Sequence, residues 1–326
     1  MPDSWEVALS QVTGEWTVFL ADDDVICRDL LLRLSRATKC ERNVLTWQWG
    51  YYYTDSWIDE RKRNVLMVDP FTGAEWKVRS TDTLQALFRL APHKRCPIPH
   101  RSCCRTHLLR EIAKSRGGMF WPPAPDYTGA VLLLASVADY LYIDAPLTVS
   151  AVGAQNQILA CGYKRFIKEL GDDACMLLTP IPLTSPCNAV PQSILKAKAV
   201  AGESLSGYDI EISAYLRSFI NCLIYSRPHG YDLNTEWRVF WETVRKQQLR
   251  IQMHVLGAGV EAYAFYILRY ALRGWLLKAA KMSGLIGRTA GRTLAYGSEH
   301  GFHDISGALQ YMEKRYQLEL VAQETD

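Results

Sequence analysis

Three consecutive carboxylates, Asp22, Asp23 and Asp24, follow a short apolar run and are the clearest chemical feature of the chain. The run reads WTVFL over residues 16–20 and predicts a buried strand. Adjacent acids repel one another and are costly to bury without a counter-charge, so their position favours a bound cation. Their oxygens are the hard ligands that hold Mg²⁺ or Mn²⁺ against phosphate, so we predict a metal site here. A solvated turn with helix-capping acids is the alternative.

A second acid, Asp126, follows the proline-rich run FWPPAP at residues 120–125. Prolines cannot occupy the interior of a helix, so the run predicts a rigid extended loop. This loop delivers Asp126 and Tyr127 to the start of a helix, whose dipole favours an ionised carboxylate. The alternative for Asp126 is a plain helix N-cap.

The elements around these acids predict an α/β region that spans residues 1–160. Residues 44–53 are rich in aromatic side chains and predict a strand, whereas residues 128–137 are apolar nearly all round and predict a buried helix. A helix is also expected before the first strand, because apolar side chains recur there at helical spacing. These side chains are Trp5, Ala8, Leu9 and Val12.

The second half of the chain is predicted to be mainly helical. Four prolines mark a linker at residues 161–191, and residues 192–326 then show helical periodicity. A long aromatic helix is expected at residues 256–283, and its charged residues argue against a membrane-spanning role. Two interpretations stay open for this helix, contact with a membrane surface and an ordinary position between core and solvent. The basic residues that favour the membrane surface are Arg269, Arg273, Lys278, Lys281, Arg288 and Arg292.

Composition narrows the classes of function. The chain has 326 residues, 48% hydrophobic and 22% charged, and its net charge of +3 is too small to indicate a nucleic-acid partner. Nine scattered cysteines without a secretory signal predict a reducing, cytoplasmic compartment. One group of side chains within twelve residues allows either a zinc site or ordinary loop and core cysteines. It consists of His93, Cys96, His100, Cys103 and Cys104.

Three segments resemble family 2 glycosyltransferases in their sequence and order. Residues 13–24, TGEWTVFLADDD, are similar to the helix–strand–acid segment of that family. The runs FWPPAPDY at residues 120–127 and YIDAPL at residues 142–147 continue the resemblance, which covers roughly residues 4–155. It implies a GT-A-like mixed sheet with flanking helices, followed by the mainly α-helical C-terminal region. The nucleotide-binding part that the family places first is not predicted here, so the expected fold is N-terminally truncated.

The resemblance also implies a reaction, the transfer of a sugar from a nucleotide-diphosphate donor to the hydroxyl of a glycan or lipid-linked acceptor, with inversion. Asp22, Asp23 and Asp24 would hold Mg²⁺ or Mn²⁺ at the diphosphate, and Asp126 would be the general base. Trp121 and Tyr127 flank that base and would stack on the acceptor sugar, with loop packing as their alternative role. Such an enzyme of polysaccharide synthesis is expected in the cytoplasm, peripheral at the inner face of the cell membrane.

Two other classes of function remain open. One is a truncated glycosyltransferase-like scaffold that binds a partner and catalyses nothing. The other is a haloacid dehalogenase-like phosphatase, with Asp22 as nucleophile and Asp24 as acid. In that enzyme Asp172 and Asp173 would be the later magnesium ligands, although a helix-ending turn is the favoured explanation for them.

Overall fold

The computed structural model describes residues 2–37, 42–57, 59–91, 94–153, 178–226, 233–270 and 293–324. These residues form an α/β protein with a mixed, curled sheet and flanking helices. Two long strands, β3 (Val44–Tyr53) and β7 (Asp139–Val152), pair in parallel at the centre. The described shorter strands are β1 (Trp16–Val18), β2 (Asp24–Ile26), β4 (Val65–Val68), β5 (Glu75–Arg79), β6 (Ser102–Arg105) and β8 (Thr293–Tyr296).

The short strands flank the central pair with antiparallel pairing. On the outer side of β3, β6 pairs with one half and β4 with the other, and these strands pair in turn with β1 and β8. On the outer side of β7, β5 pairs with the first half and β2 with the second. Each long strand therefore pairs with two different short strands along its outer edge.

Helices cover the sheet and extend beyond it. The expected helices before the first strand and after the proline-rich loop are both present, and the second is buried as predicted. None of the helices in the described residues is long and apolar enough to cross a lipid bilayer. They are α1 (Pro2–Gln11), α2 (Asp29–Ala37), α3 (Ser80–Phe88), α4 (Thr106–Arg116), α5 (Pro125–Ser136), α6 (Ala189–Ala201), α7 (Ile212–Ser226), α8 (Asn234–Arg245), α9 (Leu249–Tyr270), α10 (Gly297–His300) and α11 (Ile305–Glu324).

Most of the helices contribute side chains to one of two apolar clusters. The first surrounds α5, whose Val131 and Leu133 are fully buried among side chains of α3, α4 and α6. The second lies between α7, α8 and α9, where the rings of Phe219 and Phe240 stack with centroids 5.7 Å apart. The inner face of α8 carries Phe240 and Val244, which are both buried.

In the second half of the chain, the long helix expected at residues 256–283 begins earlier, at Leu249, and is described as far as Tyr270, so residues 271–283 of that prediction lie outside the described residues. Residues 161–177 of the predicted linker lie outside the described residues, but Ile181 and Cys187 beyond them are buried in the second cluster. Strand β8 was not predicted, because a four-residue strand has too few positions to show a period. It pairs with β4 and returns the chain to the sheet.

Candidate active site

Asp24 opens strand β2 and lies in register with Ser150 of β7. Burial raises the pKa of the Asp24 carboxyl, and a hydrogen bond donated by the Ser150 side chain opposes that rise. Tyr51 of β3 is in register with Ser150 on the other side of β7. Asp24 and Tyr51 therefore share one face of the sheet at two strand spacings, about 10 Å.

Asp23 and Asp22 occupy the turn between β1 and β2. Asp22 is exposed, whereas Asp23 is partly buried. Burial and then the charge of Asp22 raise the pKa of Asp23, and no hydrogen-bond partner for its Oδ2 atom lies among the described residues. A buried carboxylate oxygen without a partner is costly, and a bound cation would remove that cost.

The acids of this turn fit a metal that is shared with a substrate. Within the described ranges, no three His, Cys, Asp or Glu side chains gather closely enough to form a metal cage by themselves. Mg²⁺ is commonly held by one or two carboxylates together with substrate phosphates and water. Asp23, whose Oδ2 has no partner in the described part of the chain, and Asp24, on the sheet, are the two acids that could supply these ligands. Asp22 lies at the exposed side of the turn.

Asp126 lies in the first turn of α5. The N-cap position of that helix belongs to Ala124, so the N-cap role considered for Asp126 is wrong. Burial raises the pKa of Asp126, while a hydrogen bond from the Tyr127 backbone N–H and the charge of Arg101 lower it. A carboxylate with a raised pKa accepts a proton more readily near neutral pH than an ordinary one does.

Arg101 acts on both acids, although it was not among the site residues predicted from the sequence. The charge of its guanidinium lowers the pKa of both Asp24 and Asp126. The same group lies over the ring of Trp49, 3.5 Å from the centroid, and 5.8 Å from the ring centre of Tyr51. Its Nε atom is buried and has no hydrogen-bond partner in the described residues. The one signal in the sequence is the break at Pro97-Ile98-Pro99, which places a turn directly before Arg101.

Close packing holds the Arg101 turn against α5. A side chain at Gly129 of α5 would meet Phe120 at 2.9 Å and Pro99 at 3.1 Å, so only glycine permits this approach. Glu6 of α1 accepts hydrogen bonds from the backbone N–H groups of Met119 and Phe120, at 2.5 and 2.7 Å. These contacts position the loop that leads to Asp126.

The two aromatic residues predicted to bind an acceptor differ in their surroundings. Tyr127 lies within electrostatic range of Asp126 and Arg101, and burial followed by the Asp126 charge raises the pKa of its hydroxyl. The ring of Trp121 instead lies under the ammonium group of Lys196, 4.7 Å from its centroid. The structure thus brings Tyr127 into the candidate site and directs Trp121 towards α6.

The described residues of the cysteine and histidine group belong to the core. Cys96, Cys103 and Cys104 are buried free thiols, and burial raises the pKa of each. Burial and the neighbouring Arg101 lower the pKa of His100 to about 3, so its imidazole is neutral at physiological pH. These side chains form no three-ligand metal group among the residues described, and His93 lies outside them.

Asp144, from the third resembling segment, has a structural role. Its carboxylate accepts hydrogen bonds from the backbone N–H and the hydroxyl of Thr72, at 2.9 and 2.8 Å. It therefore fastens the β4–β5 loop to the central strand β7.

The fold and the site together define an α/β protein with two partly buried acids that share one arginine above a sheet. No known protein family matches the chain, and no curated protein matches it. The chemistry of the site therefore rests on the residues themselves.

Proposed function

We propose that this chain is a GT-A-like glycosyltransferase that moves a sugar from a nucleotide-diphosphate donor to an acceptor hydroxyl. The observation that carries the proposal is the placement of Arg101 within electrostatic range of both Asp24 and Asp126. Sugar transfer needs a site for a diphosphate and a base on the opposite side of the sugar. One arginine whose charge acts on both acids supplies an anchor common to both parts of such a site.

The donor side of the site is built from Asp23, Asp24 and Arg101. When Mg²⁺ or Mn²⁺ is bound, it supplies positive charge that stabilises the diphosphate as a leaving group. Asp23 and Asp24 provide the carboxylate oxygens for that ion, and Ser150 keeps Asp24 oriented on the sheet. Arg101 presents a buried Nε–H without a partner among the described residues, and this group can donate a charge-assisted hydrogen bond to a phosphate oxygen.

The acceptor side is built around Asp126. Its carboxylate takes the proton from the acceptor hydroxyl while that oxygen forms a bond to the anomeric carbon of the donor sugar. The bond from the anomeric carbon to the diphosphate oxygen breaks, and the electron pair leaves with the nucleotide diphosphate. A single in-line displacement of this kind inverts the anomeric configuration. Tyr127 lies beside the base and is placed to contact the acceptor.

Calorimetry and product analysis test the proposal. The wild-type chain is expected to bind a nucleoside diphosphate only with Mn²⁺ present, and Asp24→Ala to lose that binding. Asp126→Asn is expected to keep the binding and to lose transfer by about 10²–10⁴-fold, which is the usual contribution of a general base. Failure of the wild-type chain to bind any nucleoside diphosphate with Mn²⁺ would refute the transferase.

The two alternative functions predict other outcomes. A non-catalytic scaffold would bind no nucleotide in this calorimetric test. A phosphatase would hydrolyse p-nitrophenyl phosphate and lose that activity in Asp22→Asn. The exposed position of Asp22 and the antiparallel pairing of β1 with β6 do not favour a nucleophile there. Asp172 and Asp173 lie outside the described residues.

The proposed partner of the C-terminal helices is an anionic membrane surface, where a lipid-linked acceptor would be found. One face of α9 exposes large apolar side chains at alternating spacings of four and three, so they form a continuous stripe. The sequence from residue 269 to 292 contains six Lys or Arg residues and no Asp or Glu, which complements anionic lipid headgroups. The stripe on α9 consists of Leu249, Met253, Leu256, Val260, Tyr263 and Ile267.

A further inference from the structure

A small cavity lies beside the candidate active site on the same face of the sheet. Its volume is about 160 Å³, and Trp49 and Tyr51 of β3 form one wall. Met67 of β4 lines it as well and is in register with Tyr51, which continues the row of Ser150 and Asp24 across four strands. Arg101 lies over the Trp49 ring, so Trp49 is a neighbour of both the cavity and the arginine of the site.

Gln48 lines this cavity with an unsatisfied polar atom. The side chain is only 7% exposed, and its amide N–H donates to the carbonyl of Pro70 at 2.9 Å. Its Oε1 atom is buried without a hydrogen-bond partner in the described part of the chain, as is Nε1 of Trp49. Buried polar atoms are nearly always paired, so one acceptor and one donor at the same cavity indicate a missing ligand.

An irregularity in β3 explains how two adjacent residues reach one cavity. Neighbouring side chains of a regular strand point to opposite faces of the sheet. The pairing of β3 with β7 shifts register on both sides of Gln48, between Trp47 and Gln48 and again between Gln48 and Trp49. Such bulges re-aim side chains and are common next to active sites. This one lets Gln48 and Trp49 line the same cavity.

The remaining walls indicate the class of ligand. Lys94 and Asp69 form an ion pair at 2.9 Å, which offers both a donor and an acceptor to a hydroxyl group. The rings of Trp49 and Tyr51 meet at 84° with centroids 6.0 Å apart, so they cannot sandwich a planar base between parallel faces. They form a corner that suits a puckered ring with apolar C–H groups on one side and hydroxyls at its edge. The cavity has the volume of about five water molecules, at ~30 Å³ each, which is enough for one such ring.

We propose that this cavity binds a single pyranose unit of the acceptor, with Gln48 accepting from one sugar hydroxyl and Trp49 Nε1 donating to another. The role of this sugar as an acceptor rests on the proposed glycosyl transfer. Binding of the sugar itself does not depend on catalysis. The subsite would place the acceptor on the face of the sheet that carries Asp24.

Saturation-transfer NMR on the full chain tests the proposal with methyl pyranosides of glucose, galactose, mannose and N-acetylglucosamine. At least one is expected to bind the wild type, and Gln48→Met or Trp49→Phe is expected to weaken binding about tenfold by removing one hydrogen bond. Lys94→Met alters the same cavity at an exposed residue. It therefore replaces Gln48→Met or Trp49→Phe in the test if either of those buried variants does not fold. Gln247→Met, on a glutamine between α8 and α9, is the matched control and should bind as the wild type does.

The outcomes separate this inference from the proposed function. Pyranoside binding that depends on Gln48, together with no nucleotide binding, supports the subsite and refutes the transferase. Manganese-dependent nucleotide binding without any pyranoside binding overturns the subsite and leaves the transferase intact. Displacement of the pyranoside by free uridine, adenosine or guanosine overturns the subsite too, because the cavity would then be a base pocket.

Discussion

The rings of Phe19 and Phe120 meet edge to face, with their centroids 5.0 Å apart. Phe19 directly follows strand β1 and lies shortly before the turn of Asp22 and Asp23 that leads to Asp24. Phe120 begins the loop that leads to Asp126. Trp5 of α1 contacts both rings, at 5.3 and 5.1 Å, and completes the cluster. The two acidic parts of the site are thus fixed to each other through an apolar contact.

Truncation of Phe19 should weaken both the fold and the site. Phe19→Ala removes a buried ring and is expected to lower the free energy of unfolding by about 3 kcal/mol, measured by urea denaturation. Leu31→Ala, at an exposed residue of α2, is the control and should change it by less than about 0.5 kcal/mol. Equal effects of the two substitutions would show that the aromatic cluster does not stabilise the chain.

Asp23→Asn should stabilise the metal-free protein at neutral pH. Because the folded pKa of Asp23 is raised, the folded chain binds this proton more tightly than the unfolded chain does. The stabilising contribution is therefore complete below the unfolded pKa, about 3.8, and is lost as the pH rises through the folded value. The Tm of Asp23→Asn should exceed that of the wild type at pH 7, and the difference should disappear at pH 3.

Manganese together with a nucleoside diphosphate should reverse this order at pH 7. The ion pairs with the ionised carboxylate and should raise the Tm of the wild type more than that of Asp23→Asn, because binding to the folded state stabilises it. Asp3→Asn, at an exposed acid of α1, is the control and should leave both measurements unchanged. A wild-type Tm that does not respond to Mn²⁺ in the presence of a nucleoside diphosphate would contradict a metal at this turn.

Arg101→Gln should move the pH dependence of transfer to higher pH. The Arg101 charge lowers the pKa of Asp126 and Asp24, so its removal should raise both values. Loss of the contact with Trp49 should also cost about 1 kcal/mol of stability. Arg95→Gln is the control, because Arg95 lies over the ring of Trp76 at 4.4 Å, in the same kind of contact. It should lose similar stability and keep the wild-type pH profile of kcat/KM.

Substitution on α9 should separate membrane binding from catalysis. The wild-type chain is expected to sediment with vesicles that contain phosphatidylglycerol, more weakly with phosphatidylcholine alone, and less as salt increases. Val260→Asp, at a residue 70% exposed on the α9 stripe, should weaken sedimentation at least tenfold. Val7→Asp, at an exposed valine of α1, should have no effect. A dimer that Val260→Asp converts to monomer would instead assign the stripe to a second copy of the chain.

The sequence by itself determined the features that depend on neighbouring residues. The apolar run before Asp22 predicted a strand, which is present over the shorter range Trp16–Val18. The prolines before Asp126 predicted a loop that opens a helix, which is also present. The buried helix after Asp126 was also evident, because apolar residues on every side of a helix leave no face for water. These features follow from local backbone preferences and apolar periodicity.

Only the tertiary structure decided which distant residues complete the site. Strand pairing places Ser150 beside Asp24, although 126 residues separate them, and nothing local in the sequence fixes that register. The position of Arg101 depends on the approach of Pro99 to Gly129, and the cavity at Gln48 depends on a bulge against β7. Register and close packing are determined by the sum of many long-range contacts, so local periodicity predicts the elements and leaves their neighbours undetermined.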